Sequence, residues 1–434
     1  MLGHGASPPA PQFPVDHLAV RILIWHGYYL SGTGSNVYTQ AVAREWSKAG
    51  HDVVVVCQEP SPDRFELAGA EVVKPELPDG LLPVFVLDRY EGLEPRLLQD
   101  LTREERERYV GVNAAAVREL LPADLVFCNH ALAGGAVGAA SGAPFAVKVH
   151  GSELEYSLRV SPELQIAAAE ALEHAQAVFV GSAHIREVLE EVVGHVERVH
   201  EVPPGVDVDR FRPHGHAEAL AGLLEECRQD PPNPGNREER LPDEDNARRL
   251  ERFFADRRPT VLYFGKLLYN KGVHLLLEAL HGLEARALVV GFGDYRRRLE
   301  QLAPRGTLFT GQLDHRHLEH LLPLCDVAVV PSIFPEAFGM VAAEAAAAGC
   351  PPLVARHSGL AEIAEGLEAA YPPALTSLAA FPPGDSEELA SRLRDLLALP
   401  ADTRAGLGAA ARRVAEERWS WETVAARLLQ PFES

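Results

Sequence analysis

The sequence predicts an α/β protein of two domains, each built on a doubly wound parallel sheet. Three observations carry this. Short β-branched runs alternate with amphipathic helical stretches through both halves of the chain. The length of 434 residues exceeds what one ordinary core accommodates. A composition 47% hydrophobic and 24% charged is that of a globular chain, which excludes bulk disorder. In open parallel sheets, ligands gather at the carboxyl ends of strands, so polar residues just after strands are the first candidates for a site.

In the N-terminal half, strands are expected at Arg21–Trp25, Asp52–Cys57, Val84–Asp88, Leu125–Cys128, Phe145–Val149 and Ala177–Val180, with an amphipathic helix over Arg103–Leu120. Between the first two strands a glycine-bearing turn, with Gly32 and Gly34, leads into a helix over Val37–Ala49. Such a turn lets backbone N–H groups approach a phosphate, or is a flexible turn and nothing more. Two strand ends carry polar punctuation: Asn129-His130, and His150-Gly151-Ser152-Glu153. Taken alone, a histidine in that position is most often a local hydrogen-bonding residue.

The middle of the chain, 206–258, reads as an interdomain linker with an insertion. Helical pieces at Ala217–Cys227 and Ala247–Phe254 flank a Pro/Asn-rich charged loop, which is expected on the surface. The C-terminal half, 259–412, restarts with a strand at Thr260–Phe264, followed by Gly265-Lys266 and by Lys271 at the head of a helix over Gly272–Leu280. Strands at Ala287–Val290 and Leu308–Phe309 end in Gly291-Phe292-Gly293-Asp294 and Thr310-Gly311-Gln312-Leu313. His317 and His320 lie at helical spacing without an obvious set of further ligands, so a solvated helix face is expected there rather than zinc.

The stretch the half is organised around runs from Asp326 to Gly349. A buried strand, Val327–Val330, is followed by an irregular acidic loop, Pro331–Glu336. Phe338-Gly339 then opens a strong helix former, Met340–Ala348, stopped by Gly349. A helix N-terminus favours an anion. Glu336 and Glu344 flank it, which suits hydroxyl groups of a sugar, or else one solvated and one capping glutamate. A strand at Pro352–Ala355 follows, and Trp419, Trp421 and Val424–Phe432 form a last amphipathic helix.

The pattern from Pro331-Ser332 through Glu336, Phe338-Gly339, Glu344-Ala345 and Gly349 resembles the signature of retaining glycosyltransferase family 4. Other pieces match in order: Gly265-Lys266 with Asn270-Lys271-Gly272, Val289–Asp294, and Pro203–Phe211. The resemblance implies the GT-B fold: two Rossmann-like domains, 18–205 and 259–412, facing a central cleft. A C-terminal segment, 413–434, would cross back to the first. It implies transfer of a sugar from a UDP- or GDP-linked donor to an acceptor hydroxyl, with retention and without a metal or other cofactor.

By position in the motifs, Lys266, Lys271, Gly34 and the backbone of Phe338, Gly339, Met340 and Val341 would face the diphosphate. Glu344 would bind the ribose, Glu336 the donor sugar, and His150 a sugar hydroxyl from the other domain. Gly291 and Gly293 match the donor motif, while Phe292, Gln312 and Leu313 are expected near the base. Lys266 stands where most relatives have arginine, which exchanges a bidentate fork for a point charge. Asp207-Val208-Asp209 falls in the linker motif, so capping or salt bridging is expected of it rather than a metal. Alternatives on the same architecture are a nucleotide-sugar epimerase or phosphorylase, or a non-catalytic nucleotide-sugar binding protein.

Composition narrows the partners. A net charge of −21 argues against nucleic acid and against anionic lipid. Met1–His17 reads as a loose Gly/Pro-rich tail without the apolar core of a signal peptide. No run of about 18 apolar residues spans a bilayer. Five scattered cysteines fit a reducing, cytoplasmic setting.

Overall fold

A computed structural model describes residues 19–30, 32–87 and 90–433. The expected tail at 1–17 lies outside the described residues, as do Ser31, Asp88 and Arg89. The chain forms two compact units, Val206–Ser420 and a first unit made of the preceding residues together with Trp421 onward.

The first unit is built on β1 (Arg21–Trp25), β2 (Asp52–Val56), β3 (Glu71–Val73), β4 (Leu81–Val84), β5 (Glu94–Leu97), β6 (Leu125–Asn129), β7 (Phe145–Lys148), β8 (Ala177–Val180) and β9 (Val199–Glu201). Its helices are α1 (Gly34–Lys48), α2 (Arg103–Glu119), α3 (Ala133–Ser141), α4 (Gly151–Glu153), α5 (Pro162–Glu173) and α6 (Ala183–Val193). Seven strands form a parallel sheet in the order β3-β2-β1-β6-β7-β8-β9, while β4 and β5 pair separately. Side chains alternate across the sheet. Ile22 and Ile24 pack on one face, Leu23 and Trp25 on the other, and both faces are buried.

The strand expected at Val84–Asp88 is a correction: pairing ends at Val84, three residues after it begins. Phe85 turns into the core, and Val86 and Leu87 are exposed. The edge strands β3 and β9 escaped the sequence reading because they are three residues long and carry glutamates.

The second unit contains α7 (His216–Arg228), α8 (Asn246–Ala255), β10 (Thr260–Phe264), α9 (Val273–Ala279), β11 (Arg286–Val290), α10 (Arg296–Leu302) and β12 (Thr307–Phe309). It continues through α11 (His315–Leu321), β13 (Val327–Val330), α12 (Met340–Ala347), β14 (Pro352–Ala355), α13 (Ser358–Ala370), β15 (Ala380–Phe381), α14 (Ser386–Ala398) and α15 (Ala401–Val414). Its parallel sheet runs β12-β11-β10-β13-β14-β15. Strand order therefore reverses between β10 and β13, as it does between β1 and β6 in the first unit.

The stretch 206–258, expected as a linker with a surface insertion, belongs to the second unit. Its loop is exposed, but Ala219, Leu223 and Cys227 of α7 and Leu250 and Phe254 of α8 lie in the same buried cluster as β10–β13. These residues recur at i, i+4 and i+8, an apolar stripe masked in the sequence by the charged residues around it. The chain returns to the first unit at Trp421 rather than at 413, through α16 (Trp421–Leu429). There Val424, Leu428 and Leu429 join the core beneath α1, and Trp46 donates its indole N–H to the Ala425 carbonyl at 2.9 Å.

Candidate functional site

In the second unit, the loops after β10 and β13 meet where the strand order reverses. Gly272 makes this possible. Its φ is +68°, and a Cβ there would lie 1.8 Å from the Pro331 carbonyl oxygen. The loops are then tied together by the Ile333 and Phe334 N–H groups, both donating to the Asn270 carbonyl at 3.0 and 3.3 Å. The result brings Lys271 Nζ within 2.6 Å of Glu336 Oε1 in a half-buried ion pair. Lys266 lies on the same β10 loop, its side chain exposed and its carbonyl accepting from the Tyr263 hydroxyl at 2.7 Å.

Glu336 is held from behind. Its N–H donates to Ser358 Oγ at 2.8 Å, and its carbonyl accepts from Gly359 N–H at 3.0 Å. His357 Nε2 lies 2.6 Å from the Ser332 carbonyl, which can only accept, so that nitrogen carries the proton. Its Nδ1 then accepts from the Ser358 hydroxyl at 3.0 Å. The sequence reading gave His357 and Ser358 no role of their own, although the stretch Arg356–Ile363 that holds them resembles a motif of the same glycosyltransferase family.

α12 begins at Met340, with Gly339 in the left-handed region at φ +112°. A Cβ at Gly339 would lie 2.5 Å from Leu360 Cδ2. Phe338 is buried edge-on against Trp419, so only its backbone is available to a ligand. That agrees with the backbone role expected of Phe338, whereas Leu313, expected near the base, is a correction, since its side chain belongs to the core. Met340 and Val341 are half-buried. Glu344, one turn further along α12, is buried, with Oε1 3.4 Å from His315 Nε2. That hydrogen bond raises the His315 pKa above its ordinary value.

Gly291 and Gly293 serve packing. A Cβ at Gly291 would lie 1.8 Å from the Gly265 carbonyl oxygen, and one at Gly293 would lie 2.4 Å from that of Leu267. They let the ends of β10 and β11 lie directly on each other. Gln312, half-buried, follows β12.

In the first unit, β1 and β6 end at the strand reversal in His26 and His130, whose rings stack at 6.1 Å. His130 is buried at φ +73°, and His150 lies 4.7 Å from it, ring to ring. His150 caps α4: its N–H donates to Glu153 Oε1 at 3.0 Å, and its Nε2 lies 2.9 Å from Asn129 Oδ1. Burial and the neighbouring histidines and Lys148 push its pKa well down, so the ring is neutral. Gly34 is the first residue of α1, with open space around it, so its amide is one the helix leaves without an internal partner.

Two expectations about metals meet the structure here. Asp207 Oδ1 accepts from Arg210 N–H at 2.9 Å, a turn cap. His317 is a correction: it is wholly buried rather than on a solvated face. Cys227, Asp230 and His317 come close enough together to suggest a metal among the described residues. However, His317 Nδ1 accepts from Asp314 N–H at 3.2 Å, so Nε2 holds the proton and donates to Asp230 Oδ1 at 3.0 Å. Arg316 shares that carboxylate. Both ring nitrogens are engaged and a guanidinium occupies the charge, so the cluster fits a structural clamp and not a cation.

Sequence and structure comparisons identify the family and the fold. The family described as "Glycosyl transferases group 1" matches residues 245–414, and "Glycosyl transferase 4-like domain" matches 33–205. The chain belongs to the group 1 glycosyl transferases. It is 35% identical to the glycogen synthase of Mycobacterium tuberculosis over 196 residues, 41% of this chain and 44% of that protein. It is 26% identical to a GDP-mannose-dependent alpha-(1-6)-phosphatidylinositol monomannoside mannosyltransferase of Mycolicibacterium smegmatis, over 65% of this chain and 68% of that one. The chain thus spans about half the length of several curated relatives that it matches. Among solved structures, sucrose-phosphate synthase of Thermosynechococcus elongatus aligns with TM-score 0.61 at 22% identity over 95% of this chain and 98% of that one. Anabaena Alr3699/HepE, solved with UDP and glucose, aligns with TM-score 0.64 at 17% identity over the same shares. These likenesses show the fold, GT-B.

Among the described residues, no helix is long and apolar enough to cross a membrane. All five cysteines are free and buried.

Proposed function

We propose that this protein is a retaining glycosyltransferase that moves a sugar from a UDP- or GDP-linked donor to an acceptor hydroxyl without a metal. The observation that carries the reading is the convergence of Lys266, Lys271, Glu336 and the α12 N-terminus on the strand reversal of the second unit. Donors of that kind carry two phosphates beside two diols. The site offers cations and helix amides beside two carboxylates.

In the reaction, the bond from the anomeric carbon to the diphosphate oxygen breaks, and the acceptor oxygen forms the new bond on the same face. The acceptor proton passes to the departing phosphate. Charge grows on the diphosphate, and Lys266, Lys271 and the free amides of α12 stabilise it where it appears. In the free protein, Lys271 is neutralised by Glu336. An arriving diphosphate takes over the ammonium, which releases the carboxylate to accept from sugar hydroxyls. Glu344 accepts from the ribose diol. In the first unit the neutral His150 has both ring nitrogens engaged, Nε2 donating to Asn129 Oδ1 and Nδ1 accepting from the Glu153 N–H, so meeting a sugar hydroxyl would require it to release that cap.

Thermal-shift measurements with UDP-, GDP- and ADP-linked sugars test the donor class directly, because binding raises the melting temperature by mass action. Glu336→Gln and Lys271→Ala should each lower transfer at least about a hundredfold, with melting little changed. Full activity in both variants would sink the assignment. Product analysis separates transfer from the alternatives: a phosphorylase requires free phosphate, and an epimerase returns a nucleotide sugar.

A further inference from the structure

The exposed loop of the insertion does not trail into solvent. Pro242 makes an antiparallel bridge to Gly311, and Asp243 N–H donates to the Thr310 carbonyl at 2.7 Å. The segment therefore lies along the end of β12, the edge strand of its sheet. Asp243 anchors it: the carboxylate is buried and takes both guanidinium nitrogens of Arg296 at 2.8 and 2.6 Å, with Arg249 at 3.3 Å. Asn246 Nδ2 adds a bond to the Thr310 carbonyl at 2.8 Å. Gly311 is required at this contact, because a Cβ there would lie 2.7 Å from the Leu241 carbonyl oxygen.

That anchoring places Arg240 over the ring of Phe292, its guanidinium carbon 5.7 Å from the ring centre. Arg240 is exposed and has no ion-pair partner among the described residues, although glutamates precede it in the chain. Phe292 and Gln312 follow β11 and β12 at their carboxyl ends, where open parallel sheets hold ligands. A nucleotide with its diphosphate at Lys266 and its ribose at Glu344 runs outward toward the turn between β12 and α11, because Glu344 faces His315. The base then lies against Phe292, Gln312 and the anchored segment.

We propose that Arg240–Asp243 forms the outer wall of the nucleobase subsite and that the Arg240–Phe292 pair selects the base. The inference rests on the nucleotide-sugar reading above. A guanidinium donates only, so it suits a base edge that presents oxo acceptors, as guanine (O6 beside N7) and uracil (O2, O4) do. Adenine has no oxo group and carries an amino donor where guanine has O6, which a guanidinium cannot accept from.

The test measures dissociation constants of GDP, UDP and ADP for the full chain and for Arg240→Ala and Arg240→Gln, with the melting temperature of each variant as a folding control. Wild type should bind GDP or UDP about tenfold or more tighter than ADP, and both variants should bring that ratio close to one. Four results overturn the proposal: an unchanged ratio in the variants, an equal loss for all three nucleotides (a phosphate contact instead), no discrimination by wild type, or a wild-type preference for ADP. If wild type binds none of the three, the nucleotide-sugar reading falls as well, which distinguishes the two failures.

Discussion

Gly291 has no freedom to change. It sits at φ +137° with a Cβ position 1.8 Å from a backbone oxygen that cannot swing aside. Gly291→Ala should therefore destabilise the second unit by about 3 kcal/mol or more, read as a lowered denaturation midpoint. The same substitution at Gly34, where nothing lies within 4 Å, should leave stability almost unchanged. The histidines set a pH dependence at the same scale. Burial holds His26 at about 3, below its unfolded value of 6.5. Below 6.5 the unfolded chain takes the proton first, so stability falls as pH drops from about 6.5 toward 3. Lys148 is buried, its Nζ donating to the Val202 carbonyl at 2.7 Å, and burial with the nearby Arg427 charge lowers its pKa to about 7. The unfolded chain keeps that proton until the ordinary lysine range, so stability rises with pH from about 7 upward. Melting curves across pH should show both slopes, and Lys148→Met should remove the upper one.

Elements in the sheet centres were legible because their sequences are local statements. Val327–Val330 and Thr260–Phe264 are apolar, β-branched and bounded by polar or turn residues, and both strands lie where that pattern puts them. The lysines, Glu336 and Glu344 were legible because they sit at strand ends and a helix start in a spaced motif. What stayed hidden depends on partners distant in sequence. His357 and Ser358 position Glu336 from 21 and 22 residues away, through bonds no periodicity encodes. His317 looks like a surface residue until Asp230, 87 residues earlier, is folded onto it. A prediction follows at this scale. Ser358→Ala removes the hydroxyl that accepts from Glu336 N–H and donates to His357. It should cost about 1 kcal/mol of stability and lower kcat more than it raises the donor KM.

The whole molecule is threaded so that its first unit is discontinuous. The second unit is one unbroken stretch, Val206–Ser420, whereas the first borrows α16 from the far end of the chain. Trp421, Val424, Leu428, Leu429 and Phe432 are buried against α1 and the sheet beneath it. A chain ended after Ser420 should keep the cooperative transition of the second unit and lose that of the first. Scanning calorimetry of the truncated and full chains reads the difference.

The borrowed helix also imposes an order on synthesis. A ribosome that has emitted residues 1–205 has made every strand of the first sheet but not the layer that seals one face of it, and the second unit is translated in between. During that interval the flank of α1 around Trp46 stands open to water, a sticky surface on a nascent chain. A holding chaperone that recognises apolar stretches should therefore crosslink to the α1 region of stalled chains ending before residue 421, and release it once the last helix clears the exit tunnel.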